Sequence, residues 1–154
     1  MNVRYKETAG GGKYFWVAVL LLLAFVAGVT TFAGLVAESS PYWYLLPGAT
    51  CAVVLAVLFA FRQVSVEVRD DGISAWLGPI IRRDFPRSVI TSLEVERYNW
   101  KEFGGWGWKR SWKGAGTFSA VGIADCLRIN LNNGKSFVVT LHNPQACKDA
   151  FDKA

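Results

Sequence analysis

The sequence predicts an α+β protein in which an N-terminal transmembrane helical hairpin precedes a bent antiparallel sheet or small barrel that ends in a C-terminal helix. Three observations predict this class. Residues 14–61 carry one formal charge, at Glu38, whereas residues 62–154 hold 24 of the 29 charged residues of the 154-residue chain. From residue 62 onward apolar side chains recur at every second position, which is typical of strands. The final residues instead follow helical spacing.

Composition excludes several classes of protein. With 52% hydrophobic and 19% charged residues, the chain is not disordered. Three cysteines are too few, and odd in number, for a disulfide scaffold. We therefore divide the sequence into a cytoplasmic N-terminal tail (residues 1–13), a two-helix hairpin (residues 14–61) and a soluble domain (residues 62–154). The glycine-rich end of the tail is expected to be flexible.

The first predicted membrane helix, residues 14–36, has 23 residues without a charge. A helix of that length spans about 34 Å, which is enough for the ~30 Å hydrocarbon core of a bilayer. The second, residues 41–61, also opens with aromatic residues that suit the membrane interface. Two buried core helices are the other interpretation of these runs, but the rest of a 154-residue chain is too short to cover both. A cleaved signal peptide is disfavoured because the apolar run is too long and no small-x-small site is followed by a polar mature chain.

Charge distribution predicts the orientation of the hairpin. The connection between the helices carries Glu38 and no Lys or Arg, whereas basic residues flank the other ends: Arg4, Lys6 and Lys13 before the first helix, and Arg62, Arg69, Arg82 and Arg83 after the second. The positive-inside rule then places both termini and the soluble domain in the cytoplasm, with the short connection between the helices outside. Unpaired Cys126 and Cys147 agree with a reducing compartment.

Small residues recur at four-residue spacing in both predicted helices: Ala24 and Gly28 in the first, and Gly48, Ala52, Ala56 and Ala60 in the second. Such rows let helix backbones approach closely in lipid. We expect these faces to pack the hairpin against itself, with a contact to another subunit as the alternative. Neither helix has a charge near the membrane centre, which argues against a pore or transporter formed by this chain alone.

The soluble domain opens with an alternating strand at residues 64–68. A turn at Asp71-Gly72 would place Val68 opposite Ala75 and Val66 opposite Leu77. Further strands are predicted at residues 80–85 and 90–98, with one member of the Arg82-Arg83 pair on each face.

In the last predicted β-hairpin, the length of the turn determines whether the apolar residues of the two strands lie on the same face of the sheet. A two-residue loop would pair Leu131 with Ser136, on conflicting faces. A three-residue loop, Asn132-Asn133-Gly134, instead pairs Ile129 with Phe137 and Leu127 with Val139, and needs a left-handed Gly134.

A short amphipathic helix is predicted to end the domain. Asn143 is its expected cap and Pro144 suits its first position. The apolar face comprises Cys147, Ala150 and Phe151, and we expect Phe151 to close the open end of the sheet.

Residues 103–110 (FGGWGWKR), residues 116–144 (GTFSAVGIADCLRINLNNGKSFVVTLHNP) and the helix that follows them resemble bacterial pleckstrin-homology-like (PH-like) domains. The chain also resembles small, uncharacterised prokaryotic membrane proteins in which one or two helices precede such a domain. The resemblance covers roughly the last 90 residues and implies a PH-like fold. Such families include lipid binders, peptide binders and oligomerising modules, so it transfers no functional residue.

Residues 97–113, here called the Trp-rich segment, contain four of the seven Trp, five basic residues and one acidic residue. This composition suits contact with anionic lipid or with an acidic protein partner. The expected contacts are the anchors Trp106, Trp108 and Trp112, and the cations Lys109, Arg110 and Lys113. The alternative is a hairpin with at least two of these Trp in the core. Nucleic acid is disfavoured for a domain held at a membrane.

We therefore predict a non-catalytic, membrane-anchored binding or assembly module, such as an accessory subunit of an inner-membrane complex. Its partners would be the lipid bilayer and either a protein or a second copy of the chain. The alternative is a sensor of anionic lipid headgroups. His142 is the only histidine and has no nucleophile motif nearby. His142, Cys126 and Cys147 also lack metal-ligand spacing, so neither a metal nor another cofactor is expected.

Overall fold

The computed structural model describes residues 2–36, 42–60, 62–111 and 114–153. Residues 37–41, which include Glu38, lie outside them. The strands are β1 (Val3–Gly10), β2 (Gln63–Arg69), β3 (Gly72–Leu77), β4 (Ile81–Pro86), β5 (Ile90–Arg97), β6 (Gly107–Arg110), β7 (Gly116–Ser119), β8 (Asp125–Leu131) and β9 (Ser136–Thr140). The helices are α1 (Lys13–Val36), α2 (Tyr42–Ala60), α3 (Trp100–Phe103) and α4 (Pro144–Asp152).

The strands form two sheets. The first has the order β1-β2-β3-β4, and all its neighbours are antiparallel. The second has the order β5-β8-β9-β7-β6, in which only β7 and β9 are parallel. The C-terminal helix α4 contacts β1 and β2 of one sheet and β5 and β8 of the other. The predicted α+β class with a C-terminal helix is confirmed.

Residues 3–10 form a strand of the first sheet. The prediction of flexibility at the glycine-rich end of the tail is therefore wrong for Ala9 and Gly10. In the β1–β2 ladder, Glu7 lies opposite Val66 and Ala9 opposite Val64. Ala9 is fully buried in the core. The alternation was hard to recognise because the strand lies at a sheet edge and carries Arg4, Lys6 and Glu7 among few large apolar residues.

The helices α1 and α2 form a hairpin inserted between the adjacent strands β1 and β2. The amide of Gly11, between β1 and α1, donates a hydrogen bond of 2.9 Å to the carbonyl of Arg62, between α2 and β2. In α1, the window Phe15–Phe32 is long and apolar enough to cross a membrane, with a mean hydropathy of 2.4. Within α2, Gly48–Phe59 is apolar but shorter than such a span.

Large side chains make the contact between α1 and α2. Phe15, Val19 and Cys51 are buried there, and the rings of Phe15 and Phe59 meet edge to face at 5.4 Å. The small residues Ala24, Gly28, Gly48, Ala52 and Ala56 are all exposed. The expectation that these residues pack the hairpin against itself is therefore wrong, because the bulky faces meet instead. The side chain of Ala60 lies outside the described part of the chain.

The last hairpin has the predicted register. Leu127 lies opposite Val139 and Ile129 opposite Phe137. The amide of Gly134 donates to the carbonyl of Leu131 at 3.0 Å, which closes the three-residue turn. Gly134 has a φ of 74°, the left-handed conformation that the turn requires.

The first hairpin of the domain differs from the prediction by two residues. Gly72 pairs with Arg69 inside the ladder, so Asp70 and Asp71 form the turn. Gly72 has a φ of 151°, and a Cβ there would lie 2.2 Å from the carbonyl oxygen of Phe85 on β4. Close packing of three strands, rather than the turn, therefore explains this glycine. A shift of two residues leaves the same side chains on the core face.

The core lies between the two sheets and is closed by α4. Its fully buried side chains include Val66, Phe118 and Leu127. The expected helix cap is confirmed, since Asn143 accepts a hydrogen bond from the amide of Ala146 at 3.1 Å. Phe151 is buried against the core, as predicted.

Candidate functional site

The Trp-rich segment folds as the short helix α3, a glycine turn and the edge strand β6. Asn99 caps α3 through the amide of Lys101 at 3.2 Å. Gly104 ends the helix in the left-handed conformation, and Gly105 also has a positive φ. The strand then pairs with β7, where Trp108 lies opposite Phe118. The glycines therefore let the chain turn back onto the second sheet.

The described tryptophans of this segment point to solvent. Trp100 is 54% exposed, Trp106 42% and Trp108 56%. With three of its four Trp exposed, the alternative of at least two core tryptophans is excluded. Lys109 and Arg110 are also exposed. Trp112 and Lys113 lie outside the described residues.

A hydrogen-bond network fixes the backbone of the glycine turn. The hydroxyl of Tyr98 donates to the carbonyl of Gly105 at 2.7 Å and accepts from Ser119 at 3.0 Å. The Ser119 hydroxyl in turn accepts from the amide of Gly107 at 3.0 Å. Tyr98 is half-buried and stacks on Phe103, and burial raises the pKa of its hydroxyl. The turn that carries Trp106 is therefore anchored at both ends.

An ion-pair cluster joins α3 to the second sheet. The guanidinium of Arg128 on β8 lies 2.7 Å from Glu96 on β5 and 3.7 Å from Glu102 on α3. Both partners of the shorter pair are more than half buried. Glu102, the one acid of the Trp-rich segment, therefore contacts the scaffold, which leaves the exposed charge of the segment basic.

Trp106 lies at the base of the helical hairpin. Together with Gly107, it lines a cavity of about 180 Å³ whose other walls include Phe15, Leu58 and Arg62 from the ends of the helices. Sequence spacing gave no signal for this proximity, because the hairpin ends and Trp106 are more than forty residues apart. The structure thus brings one predicted contact residue to the point where the helices leave the sheet.

A second apolar side chain projects near the same end. Ile80, in the turn between β3 and β4, is 72% exposed. That turn is held to the start of β2, since the amide of Gly78 donates to the carbonyl of Gln63 at 2.8 Å. Ile80 was not among the predicted contact residues, because an isolated exposed Ile is ordinary on protein surfaces.

Three other predicted contacts that the structure describes, Trp108, Lys109 and Arg110, line a different and larger cleft of about 560 Å³. Arg83 from β4 and Lys135 from the β8–β9 turn line it too. The predicted contact set is therefore divided between two places. Sequence analysis missed Arg83 and Lys135 as members of one site because they belong to separate hairpins.

The described residues contain no group of three or more His, Cys, Asp or Glu arranged to hold a metal ion. Burial raises the pKa of Cys126 to about 12 and that of Cys147 to about 12, so neither thiol is activated. What this surface offers is exposed aromatic and cationic groups for binding.

No family model matches the sequence, and no curated protein or solved structure matches it either.

Proposed function

We propose that this chain is an integral protein of the bacterial inner membrane, in which α1 and α2 span the bilayer and the two-sheet unit is a PH-like, non-catalytic binding module. The observation that carries the proposal is the insertion of the apolar hairpin between β1 and β2. Two neighbouring strands lead directly into the two helices, and the Gly11–Arg62 hydrogen bond joins them. The module is therefore held at one end of the hairpin.

The surface of the hairpin supports a lipid environment. Only 12% of the apolar window in α1 is buried. Phe25 and Phe32 are each about two-thirds exposed, and Val53 and Val57 on α2 are exposed as well. A continuous apolar surface of this kind is rare on soluble monomers, whereas lipid solvates it. The 19 residues of α2 extend about 28 Å, close to the thickness of the hydrocarbon core.

The position of Trp106 supports a specific role for the Trp-rich segment. At the base of a membrane-spanning hairpin, its indole would lie at the headgroup level, where Trp is favoured. Ile80 would meet the same layer from another turn. Arg62, at the end of α2, would face anionic headgroups. We infer that these residues seat the module on the cytoplasmic face of the bilayer.

The outward faces of the module then serve as the binding surface of an accessory or assembly subunit. Five exposed small residues lie on the two helices at four-residue spacing: Ala24, Gly28, Gly48, Ala52 and Ala56. Such positions allow another helix to approach closely in lipid. Contact with a partner protein or a second copy of this chain through the hairpin is part of the proposal.

Site-directed labelling tests the topology. The full-length variant Ser39→Cys carries its thiol between the helices, and Asn133→Cys carries one on the β8–β9 turn. We expect a membrane-impermeant maleimide to label Ser39→Cys in spheroplasts and Asn133→Cys only in inverted vesicles. The unmodified chain, whose three cysteines are buried, is the control. Labelling of both variants from the same side, or release of the chain by alkaline carbonate, would overturn the proposal.

A further inference from the structure

The 560 Å³ cleft lies between the edge strands of the two sheets. Strand β4 forms one wall and supplies Arg83, while β6 forms the other and supplies Arg110. Lys135, from the turn between β8 and β9, lies at one end. Three elements that are distant in sequence therefore direct cations to one space.

Strand alternation shows that both arginines belong to the inner faces of the sheets. Arg83 alternates with Ile81 and Phe85, which pack against the core, whereas its neighbours Arg82 and Asp84 pair with each other on the outer face. Arg110 lies opposite Gly116. A Cβ on Gly116 would fall 2.7 Å from the ring of Phe137, so this face of β7 also points into the gap between the sheets.

The cations of the cleft have no counterions in the described part of the chain. Arg82 has Asp84 and Arg128 has Glu96, but no carboxylate lines the cleft. Arg83, Arg110 and Lys135 make no ion pair among the described residues, and neither does Lys109 at the rim. Like charges that converge without a counterion repel one another, and an anion relieves this repulsion.

The floor of the cleft is apolar. The rings of Phe85 and Phe137 meet at 5.0 Å, and Leu131 and the exposed indole of Trp108 continue the surface. The volume falls within the range of small-molecule sites. A ligand that matches this cleft therefore has an anionic group for the arginines and a flat or apolar part for the rings.

Protection of sheet edges is the simplest other role for inward-pointing charges. It would account for one arginine on each edge strand. It does not account for Lys135, which comes from a turn, or for the aromatic floor that both arginines border. Binding of an anion accounts for all of these features.

We propose that this cleft binds a small phosphate monoester with an apolar substituent. The phosphate would be held by Arg83 and Arg110, since guanidinium groups pair with phosphate through two parallel hydrogen bonds. Lys135 would add a third charge, and the substituent would lie on Phe85 and Phe137. Arg110 is three residues along β6 from Gly107, about 10 Å from the hairpin base. The site is therefore separate from the proposed bilayer contact and does not depend on membrane insertion.

Calorimetric titration of the full chain in dodecyl maltoside tests the site. Phenyl phosphate is the probe, phenol tests the need for charge, and inorganic phosphate tests the need for the ring. We expect phenyl phosphate to bind more tightly than inorganic phosphate, and phenol not to bind. Arg83→Gln and Arg110→Gln should each weaken binding by tenfold or more, because each removes a charge-assisted hydrogen bond. The matched control Arg97→Gln removes an exposed arginine elsewhere and should bind as the original chain does.

Micelles that contain phosphatidic acid distinguish the source of the ligand. Displacement of phenyl phosphate from the original chain by phosphatidic acid would identify a lipid headgroup, and absence of displacement would identify a soluble phosphate ester. The proposal is overturned if phenyl phosphate does not bind, if phenol binds equally well, or if the Arg83 and Arg97 variants bind alike. Circular dichroism of each variant shows whether the fold is retained, and Lys135→Gln provides a further substitution on an exposed turn. A failed topology test leaves these outcomes unchanged, since they are measured in detergent.

Discussion

The carboxylate of Glu7, on the first strand, accepts a hydrogen bond of 2.6 Å from the backbone amide of His142, just before the last helix. The same oxygen accepts from the amide of Asn143 at 3.3 Å, and the other oxygen accepts from the hydroxyl of Tyr5. One side chain thus connects the start of the chain to the start of α4. The N-terminal segment is therefore part of the domain beyond the hairpin.

Replacement of Glu7 tests this connection. Glu7→Ala removes the acceptor of the amides of His142 and Asn143, two exposed hydrogen bonds in which water can take the place of the carboxylate. We expect a loss of about 1 kcal/mol in the free energy of unfolding, because water replaces the carboxylate as an acceptor at this exposed site. Glu7→Gln keeps an acceptor oxygen and should lose less. Thermal unfolding of the full chain in detergent measures both, and equal losses would contradict the role given to the acceptor.

Removal of the first strand should have a larger effect. A fragment of residues 62–154 lacks β1, so it exposes the β2 edge and leaves α4 without Glu7. We expect this fragment to lack a cooperative unfolding transition. A matched fragment in which a short flexible linker replaces residues 13–60, so that β1 is retained, should unfold cooperatively. Equal behaviour of the two fragments in thermal unfolding would contradict the assignment of β1 to the domain.

Gly72 provides a test of the corrected register. Gly72→Ala would place a Cβ against the carbonyl of Phe85 at a positive φ. We expect a loss of more than about 3 kcal/mol, since both the backbone conformation and the packing oppose it. Gly134→Ala is the control, because its Cβ would meet open space and only the positive φ of 74° opposes it. If Gly72 instead lay in the turn, the two variants would lose similar stability in denaturant titrations.

Strand alternation and turn length predicted the elements that depend only on residues close to one another in the sequence. The turn at Gly134 was predictable because parity left one loop length that kept Leu127 and Val139 on one face. The turn at Asp70 was not predictable in the same way. Gly72 is required by its close approach to Phe85 on β4, and the alternation of residues around the turn carries no information about that contact. Strand β1 was missed for the same reason, because its partner β2 lies beyond both helices in the sequence. Trp106 was predicted as a contact, but its place beside Phe15 depends on how the second sheet packs on the helices.

The buried thiols predict how stability depends on pH. Burial raises the pKa of Cys126 to about 12 and that of Cys147 to about 12, from a usual value of 9.0. The folded state therefore keeps two protons that the unfolded chain loses as the pH rises. Their contribution to stability is complete below pH 9 and is lost between pH 9 and 12, with a slope of up to about 2.7 kcal/mol per pH unit. Below pH 9 these two thiols add no pH dependence.

Denaturant titrations of the full chain from pH 8 to 10.5 measure this slope. The double variant Cys126→Ala, Cys147→Ala should lose stability less steeply over the same interval, whatever its stability at pH 8. The thiols should also react with iodoacetamide at pH 8 only after addition of denaturant. An equally steep loss in the double variant would show that other groups cause the alkaline destabilisation.

Trp106 and Trp100 form a matched pair that separates bilayer contact from simple exposure. Both are exposed tryptophans of the Trp-rich segment, but only Trp106 lines the cavity at the hairpin base. In liposomes with brominated acyl chains, which quench nearby indoles, we expect Trp106→Phe to remove part of the quenched fluorescence. Trp100→Phe should remove fluorescence that the lipid does not quench. Because Trp16 at the start of α1 contributes to the quenched signal in every variant, the comparison is made between the two substitutions. If both variants lost the same quenched fraction, Trp106 would have no closer contact with lipid than Trp100, and the proposed seating of the module on the bilayer would be wrong.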